Sequence, residues 1–261
     1  MSYKYIKYFI SEFFIDVIRV LRKRITTIGK LGVLKRNKIF HNSYKNDSVC
    51  ILANGPSLTD EIQASLAGKK VIVMNDFFRS KYKDTFEIVA LCYAEPLDSP
   101  ACNIVNINNI LKNTSSESYW FDISLHGIKK ANNANITHYI CPGYEPNIFR
   151  KNKINLSKMT LSYNTTASMA IMVAMHMGFK NISLYGFDHD WLANPKFMSH
   201  FYSSKKDSTD NWGELSYHEQ IKIADRMWSI YHKISELCKK NNITITNNSY
   251  GSFLDIFDRK P

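Results

Sequence analysis

The chain has 261 residues, enough for one large α/β domain or a domain with an appendage, whereas two full domains would be cramped. A hydrophobic fraction of 44%, a charged fraction of 22%, 15 Tyr and 15 Phe exclude a disordered, collagen-like or coiled-coil chain. The net charge of +11 is uneven: residues 1–45 hold eleven Lys/Arg against Glu12 and Asp16, which puts +9 in this arm and leaves +2 for everything after it, so nucleic acid is not an expected partner.

Within the arm, Phe9, Phe13, Phe14, Val17, Ile18, Leu21 and Ile25 recur at steps of three and four and share one face of a helix. Lys7, Glu12, Asp16 and Arg19 interrupt it well before the roughly 20 apolar residues a membrane span needs. A signal-peptide core with a cleavage site is not visible either. The apolar face, followed by Arg22-Lys23-Arg24 and Lys35-Arg36, predicts a helix lying on an anionic membrane surface through residues 1–40. Each basic residue near such a surface adds about 1 kcal/mol. The alternative is a helix packed on the body or on a second copy of the chain. Residues 40–48, polar and turn-rich, read as a hinge, which makes 1–45 an arm and 46–261 the folded body.

In the body, buried runs rich in β-branched residues at 49–53, 70–74 and 87–93 alternate with helical stretches, beginning with one at 58–66. A further helix opens at Asn164-Thr165-Thr166 and closes at Gly178, a strand follows at 181–185, then a helix at 216–240 and a strand at 243–246. This order predicts an α/β fold with a mostly parallel sheet covered on both faces. Residues 97–160, rich in Asn, give only short apolar pieces, and 191–215 show little periodicity. The five cysteines, at 50, 92, 102, 141 and 238, form no C-x-x-C pair and point to a reducing, cytoplasmic setting.

Ligands of open parallel sheets bind at the carboxyl ends of strands, beside helix N-termini. Four predicted strand ends carry polar residues: Asn54-Gly55-Pro56-Ser57, Asn75-Asp76, Ala94-Glu95 and Gly186-Phe187-Asp188-His189-Asp190. Asn54 can donate and accept, Gly55 admits a close approach, Pro56 presets the turn, and Ser57 with Asp60 suits a capping box. Neither a Walker A loop nor G-x-G-x-x-G is present. Asp188-His189-Asp190 suits either a divalent metal or a capped strand end. His200, in the polar loop, and His218, near a helix start, are the histidines best placed for general-base work.

The blocks Ile51 to Leu58, Val73 to Phe78, Asn164-Thr165-Thr166 with the following helix to Ile182, and Leu184 to Asp188 resemble the bacterial sialyltransferases of glycosyltransferase family 42 in order and spacing. The resemblance covers 49–250 in scattered blocks, leaves 97–160 unmatched and excludes the arm. It implies a single Rossmann-like domain with a lid at about 191–215, and a metal-independent, inverting transfer of sialic acid or another acid sugar from a CMP-activated donor. It also implies that Asn54 and Asn75 meet the nucleotide and its phosphate, that Gly55, Pro56 and Ser57 form the turn beneath it, and that Thr165 and Thr166 hold the donor. Gly186, Phe187 and Asp188 would lie beside the nucleoside, and a lid histidine, His200, would be the base, with His218 as second choice. The family's third Asn falls near Ala94 or Glu95, and its tyrosine pair meets His189-Asp190, for which Tyr202 is the substitute. No cofactor or divalent metal is expected. The expected partners are a nucleotide-sugar donor and a glycan or lipid-linked glycan acceptor, and the family leans towards a homo-oligomer. Similar strand-end motifs occur in 6-hydroxymethylpterin pyrophosphokinases and flagellin nonulosonate transferases. The former would make the chain an ATP- and Mg-dependent enzyme, and a non-catalytic membrane assembly protein is a third reading. The leading expectation is a glycosyltransferase of surface polysaccharide or lipooligosaccharide, peripheral on the inner face of the bacterial plasma membrane.

Overall fold

The computed structural model of the protein describes residues 3–99, 102–127, 137–193, 200–202 and 215–259. Helix α1 (Tyr3–Thr27) runs into a 3-10 stretch, Ile28–Phe40, and then the body begins. Its elements in order are β1 (Ser48–Leu52), α2 (Asp60–Ser65), β2 (Lys70–Met74), β3 (Glu87–Tyr93), α3 (Ile104–Asn113), β4 (Tyr119–Asp122), β5 (Thr137–Ile140), β6 (Pro142–Tyr144), β7 (Thr160–Leu161), α4 (Thr166–Met177), β8 (Asn181–Tyr185), α5 (Tyr217–Lys240), β9 (Thr244–Asn247) and β10 (Asp258–Arg259). Eight strands form one sheet in the order β10-β9-β8-β1-β2-β3-β4-β5, and every pairing is parallel. The fold is the expected α/β, Rossmann-like one.

The period-two alternation of buried strands divides their side chains between two layers. Ile51, Ile72, Ala90 and Trp120 face the layer holding α4 and α5, while Leu52, Val73, Leu91 and Tyr119 face the layer holding Leu58, Ile107 and Ile110. All twelve residues of α4 are buried, which accounts for its small and Met-rich composition on every face. Its ends carry the two strongest local signals in the chain. Thr165 and Ser168 form a capping box, and Gly178 closes the helix in the left-handed region at φ 94°.

The strand order reverses between β1 and β8. From β1 the chain winds outward through β2, β3, β4 and β5, then crosses back to β8 and winds the other way through β9 and β10. Open parallel sheets place their ligand crevice at such a switch point, which here is the carboxyl ends of β1 and β8.

Residues 40–48, expected as a hinge, are fastened to the body instead. Asn42, Tyr44 and Asn46 donate backbone hydrogen bonds to the carbonyls of His176, Met177 and Gly178 at 2.8–3.1 Å, and Tyr44 stacks on Phe179. Upstream, Leu34, Asn37 and Phe40 are buried. The turn residues of this segment serve to wrap it around the end of α4, a long-range contact that local composition does not reveal. Helix α1 has the predicted amphipathic character, and among the described residues no helix is long and apolar enough to cross a membrane.

Candidate functional site

The site is built from the ends of β1 and β8. The two strands pair from Ser48 opposite Asn181 to Leu52 opposite Tyr185, and the ladder continues past them through Ala53 N–H to Tyr185 O at 2.8 Å and Gly55 N–H to Gly186 O at 3.0 Å. The two turns are therefore in backbone contact. Gly186 lies in the left-handed region at φ 72°, and a Cβ there would overlap the Ala53 carbonyl. A Cβ on Gly55 would overlap Gly186 O and the Asp188 carboxylate. Both glycines are required by this close approach.

Asp188 reaches over the turn and accepts the Ser57 N–H at 3.0 Å through Oδ2. Burial pushes its carboxyl above the usual carboxylate range, and the bond from the Ser57 N–H opposes that shift. Its Oδ1, together with Asn54 Oδ1 and Ser57 Oγ, is buried and has no hydrogen-bond partner. Three orphaned polar atoms within one turn contact are costly unless something fills the crevice. The expected capping box of Ser57 with Asp60 does not form. Thr59 caps α2, accepting the Ile62 N–H at 3.4 Å, because the tight turn holds Ser57 two residues too early.

The second strand end joins through α4. Asn75 adopts φ 49°, and its Oδ1 accepts the Thr166 hydroxyl at 3.1 Å. The Ala94 N–H donates to the same hydroxyl oxygen at 3.3 Å, so the first turn of α4 sits across the ends of β2 and β3. Thr165 caps the helix and its hydroxyl lies 3.4 Å from Tyr231 OH, which in turn is 2.9 Å from His189 Nε2.

His200 and Tyr202 also arrive here. Phe201, between them, donates its N–H to Asn54 O at 2.9 Å and packs its ring on Phe77, while Arg79 stacks over Tyr202 at 5.0 Å. Of the expected lid, residues 194–199 and 203–214 lie outside the described residues. His218 stands exposed in the first turn of α5, next to the Ser216–Glu219 capping box. The structure thus brings Asn54, Gly55, Ser57, Asn75, Thr166, Gly186, Asp188 and His200 to one sheet edge. Pro56 is exposed in the same turn, and Phe187 is buried beneath it.

Several contributors were not singled out from the sequence. Ser249 accepts the Phe187 N–H at 2.8 Å, Ser252 donates to Phe187 O at 2.5 Å, and Phe253 N–H bonds Asp188 O at 2.8 Å, so the segment after β9 buttresses the Gly186 loop. The polar run Asn247-Asn248-Ser249 at a strand end was the available signal. His189 is ringed by Phe187, Trp228 and Tyr231, and burial lowers its pKa to about 4. Among the described residues no group of three or more His, Cys, Asp or Glu is gathered as a metal site would be.

No protein-family model matches the chain, and no curated protein matches it either. The MAf glycosyltransferase from Magnetospirillum magneticum AMB-1 superposes over 88% of this chain with a TM-score of 0.51 at 12% identity. The likeness is one of fold. The chain spans 38% of that protein's length. Two structures of the sialyltransferase CstII from Campylobacter jejuni, with CMP-3FNeuAc and with cytidine-5'-monophosphate, align over 82% and 83% of this chain and 86% of theirs. Their identities are 17% and 16%, and both TM-scores are 0.47.

Proposed function

We propose that the protein is an inverting glycosyltransferase. In this reading it moves an acid sugar, sialic acid or a relative, from a CMP-activated donor onto a surface polysaccharide or lipooligosaccharide acceptor. The observation that carries the reading is the meeting of two turns at the β1/β8 switch point, where Asn54 Oδ1, Asp188 Oδ1 and Ser57 Oγ are buried without partners beside two obligatory glycines. Two of these orphans are acceptors, and one belongs to a carboxylate. They call for a ligand that donates hydrogen bonds, such as ribose hydroxyls or the exocyclic amine of cytosine, and they would repel a phosphate. The phosphate is better served at the N-terminus of α4, where Thr166 orients the Asn75 amide and the helix dipole favours an anion.

In the reaction, His200 takes the proton of an acceptor hydroxyl as its oxygen attacks the anomeric carbon. The bond from that carbon to the phosphate oxygen breaks, and CMP leaves with the electron pair. The placement of Phe201 N–H on Asn54 O supports this role, since it fixes the neighbouring His200 at the edge of the crevice. The chain works on the inner face of the plasma membrane, held there by the outward apolar stripe of α1, where Phe14, Ile18, Leu21 and Ile25 are exposed. No cofactor or divalent metal takes part. Thermal-shift measurements with CMP, UDP, GDP and ATP, each with and without Mg, test the reading. Stabilisation by CMP without Mg is expected, and stabilisation by ATP with Mg alone would replace it with a pyrophosphokinase-like function.

A further inference from the structure

Helix α1 carries two stripes with the same spacing. Phe14, Ile18, Leu21 and Ile25 point outward and are exposed, whereas Asp16, Val20, Lys23 and Thr27, two residues out of step and so on the opposite side, face the body. A helix that seats its polar stripe against its own protein and leaves its apolar stripe outside inverts the usual order. Beneath the polar stripe lies a cleft of about 330 Å³, bounded by α1, by β6 and by the segment leading into α4.

Its lining includes Arg19, Lys23 and Arg226 against a single acid, Glu145. Arg226 Nη2 binds Glu145 Oε1 at 2.5 Å, but its Nε is buried with no partner. Arg19 is anchored by Asp16 at 3.1 Å, and Lys23 makes no ion pair among the described residues. With both arginines paired, Lys23 is the one uncompensated charge of the lining, Arg226 keeps an orphaned donor, and Ser162 and Asn164 add neutral polar groups. Arginine donors beside a lysine ammonium match the oxygens of a phosphate. Asn164 is one residue before Thr165, the cap of α4, so the cleft opens at the same sheet edge as the donor crevice.

We propose that this cleft is an anion subsite that holds the phosphomonoester or pyrophosphate group of a membrane-anchored acceptor. The proposal rests on the glycosyltransferase reading above. With the outer stripe of α1 in the interface, the cleft sits about one helix diameter, 10–12 Å, away on the body side, at the level of lipid head groups.

Inorganic pyrophosphate titrated into the full chain, with CMP present to occupy the nucleotide site, gives the direct test. Lys23→Gln and Arg19→Gln should each weaken pyrophosphate binding roughly ten- to a hundredfold with CMP affinity unchanged, and Lys23→Gln, which breaks no ion pair, should also keep the melting temperature. Asn75→Ala should leave pyrophosphate binding as it is. Binding indifferent to both cation substitutions, or lost with Asn75→Ala, overturns the subsite. A second arm compares vesicles of phosphatidic acid and of phosphatidylglycerol at matched surface charge. Wild type should prefer the phosphomonoester lipid, and Lys23→Gln should abolish the preference while retaining vesicle binding. Equal binding of wild type to both would overturn the membrane-anchored source and make a soluble anion the ligand. CMP binding without pyrophosphate binding sinks the cleft alone, and pyrophosphate binding without CMP binding sinks the proposed function alone.

Discussion

At the residue scale, one backbone bond connects the proposed base to the proposed donor site. Phe201 N–H holds Asn54 O, so His200 is positioned by the turn that carries the proposed nucleotide-binding side chain. His200→Ala should lower kcat by a factor of about 10² to 10⁴ and leave CMP affinity nearly unchanged, because a base acts on the acceptor proton. His218→Ala is the control: its side chain is exposed at the start of α5, and loss of turnover there with His200→Ala still active would move the base to that helix. Gly186→Ala addresses the crevice itself. The new methyl group meets the Ala53 carbonyl in a left-handed backbone, so the substitution should cost stability and nucleotide binding together. A variant that folds and binds CMP like wild type would show that the β1 and β8 turns need not approach so closely.

At the scale of elements, the 3-10 stretch is sewn to the body by one side chain. Asn37 Nδ2 donates to Tyr139 O and Leu156 O at 2.8 and 2.7 Å, which leaves its Oδ1 to accept from His138 Nδ1 at 3.1 Å. The Asn37 carbonyl accepts from His176 Nε2 at 2.9 Å, while His176 Nδ1 accepts the Leu156 N–H at 3.3 Å. The Leu156 N–H on Nδ1 requires a neutral His176, and burial lowers the pKa of both rings to about 4, as for His189. The ordinary value is 6.5, so above it folded and unfolded chains carry the same charge on these rings. As pH falls from 6.5 towards 4 the unfolded chain takes up protons that the folded one refuses, and stability drops across that window before levelling below it. Asp188, whose carboxyl is raised by burial, works in the opposite sense, one group against three. Urea unfolding at pH 7.5, 6 and 5 should show a steady loss, and a flat profile would mean that these histidines are not neutral inside. The arm yields a separate expectation. Because Leu34, Asn37 and Phe40 belong to the core, removing residues 1–40 would damage the fold, so the membrane role is better tested on the outer stripe. Replacing Phe14, Ile18, Leu21 and Ile25 together by Ser should release the protein from anionic vesicles without changing its melting temperature, and continued sedimentation with vesicles would contradict a membrane-facing stripe.

At the scale of the whole molecule, the site exists because the strand order reverses between β1 and β8, a property of no local segment. Strands β2, β3 and β8 were legible to the residue, since β2 and β3 are nearly continuous buried runs, β8 alternates around Ile182 and Leu184, and each ends in a polar turn, and α4 declared both its caps. The stretch from 97 to 160 was not. Helix α3 spreads Ile104, Ile107 and Ile110 among asparagines, β4 has four residues, and β6 and β7 have three and two, too short for any period to register. The strand-end residues could be gathered into a candidate site because polar groups after buried strands converge in a parallel sheet. The link from Thr165 through Tyr231 to His189 could not, since it joins three elements across 66 residues. Calorimetric titration of CMP, without Mg, into wild type and Asn54→Ala tests the switch-point crevice most directly. Wild type should bind CMP, and Asn54→Ala should bind it more weakly by about 0.5 to 1.5 kcal/mol, the loss of one bond from a neutral donor, with an unchanged melting temperature. Equal CMP affinity in the two proteins, or no CMP binding by folded wild type, would contradict a nucleotide site at the ends of β1 and β8.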